Sequence, residues 1–382
     1  MQVVTPELIK DKKVLLRMDL DVPLVESSGK SQESRIVVAD DFRLKAGLPT
    51  LKLCLESAEE VIIMGHIGRP QGFDPELSVE PIYDWLEKQG LCSHLTSGKL
   101  KILENLRFEA GESFDTAQDE TAVSDYAKEL AKLGDPSTTS TALSTSSLRT
   151  SVFVNEAFAS YHPSASTTVL PTLLPHFAGL RFMEEVEVLT RVRNNPKHPF
   201  VAIIGGAKVD DKLPVVEALS KIADYVLVGG KLVSELAGPV AQQPHPTSST
   251  STALSVRALD GAPRFAPPAN LPDNVLIGEL NEAGTDVTHE TIEKWKPIIQ
   301  KAKMIVWNGP MGKIEEPKNF QTHELANIII QTEAETIVGG GDTIGYLGKL
   351  GLLERFSFVS TGGGAMLKFL ETGTLPTIEV LK

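Results

Sequence analysis

Two stretches near the C-terminus, VGGGDTIGYLGKL (338–350) and FSFVSTGGGAMLKFL (356–370), each set three consecutive glycines directly after an apolar run of β character. Each then enters a segment with helical spacing. Bare backbone at the mouth of a helix offers unpaired N–H donors and the positive end of the dipole, an arrangement that holds anions. Gly362, Gly363 and Gly364 make one such mouth. Gly339, Gly340 and Gly341 make the other, followed by Asp342 and Thr343. A metal-bound nucleotide explains both, with glycines for phosphate and Asp342 for Mg2+, which takes one or two carboxylates beside phosphate oxygens. Asp342 also reads as a helix N-cap, and the two roles are compatible. A third stretch, IIGGAKVDDKLPVVEAL (203–219), follows a strand and opens a helix. Gly205 and Gly206 allow close backbone approach, and Lys208 and Lys212 can reach phosphate. It is not the GxxxxGK[ST] loop.

The first half carries a different set. Arg43, His66, Arg69 and Arg107 lie in DDFRLKAGLP, GHIGRP and ENLRF. Each arginine alone reads as a surface salt-bridge partner. Together, in a chain of net charge -13, they read as a site for an anionic acceptor, because Arg gives bidentate phosphate contacts. The same net charge argues against nonspecific nucleic-acid binding.

These residues need elements to hold them. At 382 residues, the chain exceeds what one core serves, so two domains are expected. No apolar run reaches the length of a membrane span, and the N-terminus lacks a signal-peptide layout; a cytosolic protein is the expectation. Cys54 and Cys92 form no CxxC or His/Cys cluster and read as packed side chains. Strand-like KKVLLRMDLDVP, EEVIIMGHIGRP and TSVFVNEAF alternate with helical DDFRLKAGLPTLKLCLES, after an Asp cap, and TAQDETAVSDYAKELAKLG, stopped at Gly134. Such alternation predicts doubly wound α/β domains with parallel sheets. The second half repeats the plan. PFVAIIGG, ADYVLVGG, AKMIVWNGP, AETIVGGGDT and FSFVSTGGG are buried-strand runs, each ending in glycine. Ligands sit at that carboxyl end in open α/β sheets, so the five termini read as a binding floor. Between the halves, the spacing predicts a helix over 180–194, either interdomain or simply packed. Two Ser/Thr-rich segments, 135–150 and 242–256, read as surface insertions.

With these strings in order, the chain resembles the phosphoglycerate kinase family. RMDLDVP, FRLKAGLPTLK, GHIGRP, ENLRF, NEAF, GGAKVDDK, VWNGPMG, GGGDT and STGGGA carry the resemblance almost end to end. It implies two Rossmann-like domains: an acceptor domain over 1–179, an interdomain helix and linker over 180–197, a nucleotide domain over 198–364, and a segment over 365–382 returning to the first domain. It implies reversible phosphoryl transfer between 1,3-bisphosphoglycerate with ADP and 3-phosphoglycerate with ATP, with Mg2+, in a cytoplasmic monomer whose domains close on the substrates. Arg43, Lys212 and the glycines Gly362, Gly363 and Gly364 match positions that stabilise the moving phosphoryl group. Asp19, Asp21, His66, Arg69, Arg107 and His162 match acceptor-site positions. Gly205, Gly206, Ala207, Lys208, Lys212, Asn308, Gly309, Glu315, Gly339, Gly340, Gly341, Asp342 and Thr343 match the nucleotide site, with Asp342 on the metal and Glu315 on the ribose.

The chain also departs from the family pattern. Asp21 stands where the family has an acceptor-contacting Asn, a like charge costing roughly 1 kcal/mol at 4 Å near the surface. Glu156 replaces an Asp, Ala159 a Gly, and Ala165 a second His. Pro163 stands where the family has an Arg on the acceptor phosphate, a charge-assisted contact worth about 1.5–3 kcal/mol. DVTHET (286–291) replaces D-I-G-P-x-T on the nucleotide side. Three readings follow: a working kinase with another cation compensating, Arg181 or Lys45 being candidates; a kinase for another carboxylate acceptor; or a non-catalytic nucleotide-binding protein. Retaining both Arg43 and Lys212 speaks against the last.

Overall fold

A computed structural model describes residues 1–28, 34–115, 120–133, 151–206, 212–236 and 271–382. Among the described residues, the first sheet contains β1 (Lys13–Arg17), β4 (Glu60–Met64), β5 (Leu100–Ile102), β6 (Ser151–Asn155) and β7 (His176–Ala178). Its order is β5-β4-β1-β6-β7, and all neighbours are parallel. β2 (Leu24–Ser28) and β3 (Ser34–Val38) form a separate antiparallel pair. The second sheet contains β8 (Phe200–Ile204), β9 (Tyr225–Val228), β10 (Val275–Ile277), β11 (Met304–Asn308), β12 (Glu335–Gly339) and β13 (Phe358–Val359). It runs β10-β9-β8-β11-β12-β13, again all parallel.

Burial on both faces explains the apolar runs. Every residue of β6, β8 and β11 is buried, as a parallel strand covered by helices requires. Register then sets the sites. Arg17 lies opposite Met64 and Asn155 at the carboxyl ends of β1, β4 and β6. Asn308 lies opposite Ile204 and Gly339 at the ends of β11, β8 and β12. The loops that leave these ends carry most of the expected site residues.

The chain divides into two compact units, Met1–Leu189 with Thr374–Lys382, and Thr190–Gly373. Helix Leu180–Asn194 matches the expected span, and the division falls inside it. The expected return from residue 365 needs correcting. Helix Gly363–Thr372 packs on Leu213–Leu219 and belongs to the second unit; the return starts at Thr374. Helix Phe42–Ser57 starts after Asp41 as expected, but the Asp41 side chain does not cap it. Asp41 accepts from Trp85 Nε1 at 2.9 Å, and Asp40 Oδ1 accepts from Phe42 N at 2.9 Å. The Gly134 stop, both Ser/Thr-rich segments, Ala207 and Lys208 lie outside the described residues.

Candidate active site

The first unit gathers arginines around a histidine. Arg17, at the end of β1, is 1% exposed. Its Nη1 donates to Met18 O at 2.7 Å, its Nε to Ser166 Oγ at 3.0 Å, and its Nη2 meets His66 Nδ1 at 2.7 Å. A guanidinium only donates, so His66 Nδ1 accepts and the ring proton sits on Nε2. Burial holds His66 well below the ordinary histidine range, and Arg17, Arg107, Arg43 and Arg69 push it the same way. His66 is therefore a neutral donor among four cations. Below it, buried Glu112 accepts from Ser164 Oγ at 2.9 Å, Ser166 Oγ at 2.5 Å and Ser166 N at 3.1 Å. Burial raises the Glu112 carboxyl, while Arg17 and the serine donors oppose the rise.

Arg107 follows β5, and its Nη1 donates to Gly68 O at 2.6 Å. Gly68, at φ +64°, turns the loop that carries exposed Arg69. Arg43, in the first turn of its helix, faces two carboxylates. Its Nε lies 3.6 Å from Asp19 Oδ2 and its Nη1 lies 3.7 Å from Asp21 Oδ2. The Asp21 carbonyl accepts from Nη1 at 2.7 Å. Asp19 is buried, and burial raises its carboxyl against the pull of Arg43 and of a backbone hydrogen bond from Asp21. The expected repulsion at Asp21 is answered locally: one oxygen takes the Gly68 N–H at 2.9 Å and the other faces Arg43. His162 is exposed and stacks on Tyr161 with centroids 4.1 Å apart.

Neither cation expected to stand in for the Arg lost at Pro163 is uncommitted. Lys45 pairs with Asp41 at 3.0 Å, and Arg181 with Glu184 at 2.8 Å and Glu185 at 3.1 Å, each on its own helix or at its cap. Sequence reasoning passed over Arg17, Glu112, Ser164 and Ser166. Arg17 opens the quoted RMDLDVP string, and an arginine closing an apolar strand was the available signal. Nothing in the sequence joins Glu112 to Ser166, 54 positions apart.

The second unit is built from backbone. Gly205 N donates to Asn308 O at 2.8 Å and Gly206 N to Pro310 O at 2.7 Å, so the turns after β8 and β11 lie against each other. Asn308 Nδ2 donates to Gly363 O at 3.1 Å. A Cβ on Gly363 would lie 2.5 Å from Gly340 Cα. The two glycine runs therefore touch, and Gly340, at φ +101°, turns the chain there. Gly340 holds the cap position of helix Gly341–Lys349, which corrects the N-cap reading of Asp342. Asp342 is exposed in the first turn, and Thr343 Oγ1 is buried without a partner. The first N–H groups of helix Gly363–Thr372 have no acceptor within the helix. Lys212 sits at the cap of helix Leu213–Leu219, 9% exposed, and its Nζ donates to Gly205 O. Glu315 is exposed on a turn after Gly309.

Known proteins are similar to this chain along nearly its whole length. A family model described as phosphoglycerate kinase matches residues 6–238 and 268–373. The phosphoglycerate kinase of Leptospira biflexa is 33% identical over 412 residues, covering 98% of this chain and 96% of that one. That of Salinispora tropica is 34% identical over 419 residues, covering 98% and 97%. The solved phosphoglycerate kinase of Coxiella burnetii aligns with TM-score 0.68 at 28% identity, covering 98% of this chain and 96% of its own. That of Pyrococcus horikoshii aligns at TM-score 0.73 and 24% identity over 100% of this chain and 98% of its own, a likeness of fold. An arginine-rich sheet end in one unit, a glycine floor in the other and end-to-end similarity agree: the chain belongs to the phosphoglycerate kinase family.

Proposed function

We propose that the protein moves a phosphoryl group between the acyl phosphate of 1,3-bisphosphoglycerate and ADP, and in reverse between ATP and 3-phosphoglycerate. The observation that carries the acceptor assignment is buried Arg17 Nη2 at 2.7 Å from His66 Nδ1, with Arg107, Arg43 and Arg69 near enough to act on the same ring. Arg69, Arg107 and His66 bind the anionic acceptor, Asp19 and Asp21 aim Arg43, and His162 borders the site. Gly205, Gly206, Ala207, Lys208, Asn308, Gly309 and Glu315 bind the nucleotide, with Gly339, Gly340, Gly341 and Thr343. The donor set suits Mg2+: one exposed carboxylate, Asp342, stands at an open helix mouth beside the orphaned Thr343 hydroxyl. Bound there, the ion neutralises nucleotide phosphate charge.

The reaction needs no covalent enzyme intermediate. A β-phosphate oxygen of ADP attacks the phosphorus in line, and the bond to the carboxylate oxygen breaks. Arg43, Lys212 and the N–H groups of Gly362, Gly363 and Gly364 balance charge on the group in flight. Neutral His66 donates through Nε2 without adding charge. Arg43 and Lys212 belong to different units, so both domains must be brought onto the substrates, which also excludes water from the acyl phosphate. Identical small-angle scattering with and without both substrates would contradict closure. On the family's pattern we place the protein in the cytoplasm as a monomer; a doubled mass in light scattering would overturn the latter.

A coupled assay with MgATP and 3-phosphoglycerate tests the assignment, run beside Arg43→Ala. Turnover that Arg43→Ala cuts by about 10²–10³-fold is expected. No turnover with intact MgADP binding would overturn it.

A further inference from the structure

One buried acid in the first unit has no part in the chemistry above. Glu156 follows β6 and is 4% exposed. Its Oε1 accepts from Thr50 Oγ1 at 2.7 Å and Arg181 N at 3.1 Å, and its Oε2 accepts from Phe182 N at 3.2 Å. Thr50 Oγ1 in turn accepts from Leu180 N at 2.9 Å. The first three N–H groups of helix Leu180–Asn194, which have no acceptor within the helix, are thus all taken by two side chains.

Those two side chains tie three elements together. Thr50 is fully buried on helix Phe42–Ser57, seven positions and about two turns after Arg43. Glu156 N donates to Arg17 O at 2.8 Å, at the end of the strand that leads to Asp19 and Asp21. The fit around the acid is close. A Cβ on Gly179 would lie 2.7 Å from Glu156 Cδ, and one on Gly47 would lie 3.5 Å from Glu156 Cγ. The charged or titratable neighbours are Arg181, already paired with Glu184 and Glu185, and Cys54, whose thiol burial raises to about 12 with Glu156 pushing the same way.

We propose that Glu156 and Thr50 are a positioning pair for phosphoryl transfer: they lock the helix carrying Arg43 to the first turn of helix Leu180–Asn194, and so fix where Arg43 stands. The proposal rests on Arg43 acting on the phosphoryl group. Neither side chain touches substrate; both act through Arg43.

The test compares Glu156→Gln, Thr50→Val and Thr50→Ser with wild type and Arg43→Ala in the coupled assay with MgATP and 3-phosphoglycerate. Gln turns one acceptor of the clasp into a donor facing an N–H or O–H. Glu156→Gln and Thr50→Val are expected to lower kcat about tenfold with KM for MgATP unchanged, while Thr50→Ser keeps wild-type kcat. The double variant should lose no more than either single one. Wild type should also gain kcat as pH rises and the carboxyl ionises, a limb absent from Glu156→Gln. If Glu156→Gln fails to fold, the Thr50 pair decides alone. Equal kcat in Thr50→Val and Thr50→Ser, with Arg43→Ala impaired as expected, would overturn the positioning pair and leave the function standing. Full activity in Arg43→Ala would overturn the function reading itself.

Discussion

The proposed acceptor side and the proposed nucleotide side would hold phosphate with opposite materials. The acceptor side uses long charged side chains in mutual contact: Arg17 on His66 and Ser166, Arg43 between Asp19 and Asp21, Arg107 on Gly68 O. The nucleotide side uses glycine backbone, with Gly363 against Gly340 and the turn after Ile204 against the turn after Asn308. Side chains can be rewired; backbone in contact with backbone cannot. Most departures from the family pattern follow that division. Asp21, Glu156, Ala159, Pro163 and Ala165 fall on the proposed acceptor side. On the nucleotide side DVTHET (286–291) is altered, while GGAK, GGGDT and STGGGA are kept.

The largest effect should come from breaking the charge side at its one residue aimed at transfer. Arg43→Ala is expected to cut kcat by about 10²–10³-fold, the usual loss when a donor to transition-state charge is removed; stopped assays at saturating substrates read it. Next comes the backbone side. Gly363→Ala forces a methyl against Gly340 Cα, 2.5 Å from the ideal position, and overpacking of this kind costs about 1–3 kcal/mol. Turnover should fall about ten- to a hundredfold and MgADP affinity with it, read by calorimetry. An unaffected Gly363→Ala enzyme would erase the contrast between the two sides.

A smaller change sharpens the comparison in the other direction. Asp21→Asn keeps an oxygen for the Gly68 N–H but removes the charge. Because Gly68 N–H and Arg43 already offset that charge, KM for 3-phosphoglycerate should shift by less than about fivefold, the bound set by roughly 1 kcal/mol of repulsion. A larger drop in KM would show that the charge at Asp21 is not offset. The subtlest test is pH. Burial pushes Glu156 from 4.5 up to about 8, against its hydrogen bonds from Thr50, Phe182 and Arg181. A carboxyl raised in the folded state contributes stability that is full below the unfolded value and lost as pH climbs through the folded one. Melting temperature should therefore decline between about pH 4.5 and 8, and Glu156→Gln should flatten that decline in a calorimetric pH series.

Much of this was legible in the residues. The glycine-terminated strands, the helix over 180–194 and the parallel order follow from period, turn residues and apolar runs, which are local signals. The short strands β5, β7 and β10 and the β2–β3 pair were not picked out, because three to five residues carry too little period to register. On the acceptor side, Arg43, His66, Arg69 and Arg107 stood out by type and loop position. Arg17 did not: its place at the close of an apolar strand was the one local signal, and its partner Ser166 is 149 residues away. Arg181 and Lys45 are the cations that type and position suggest as stand-ins for the Arg lost at Pro163, yet both hold carboxylates on their own helix or at its cap. Pairings set by tertiary packing have no signature in one sequence. For the same reason, Asp342 reads as a cap until Gly340, at φ +101°, is seen in that position.

The central claim is that the acceptor side still works after losing the arginine at Pro163. Calorimetric titration of 3-phosphoglycerate into the protein tests it most directly, with Arg107→Ala as control. A Kd of about 1 mM or tighter, weakened at least tenfold in Arg107→Ala, is the predicted result. No binding of 3-phosphoglycerate to a protein that still binds MgADP would contradict it.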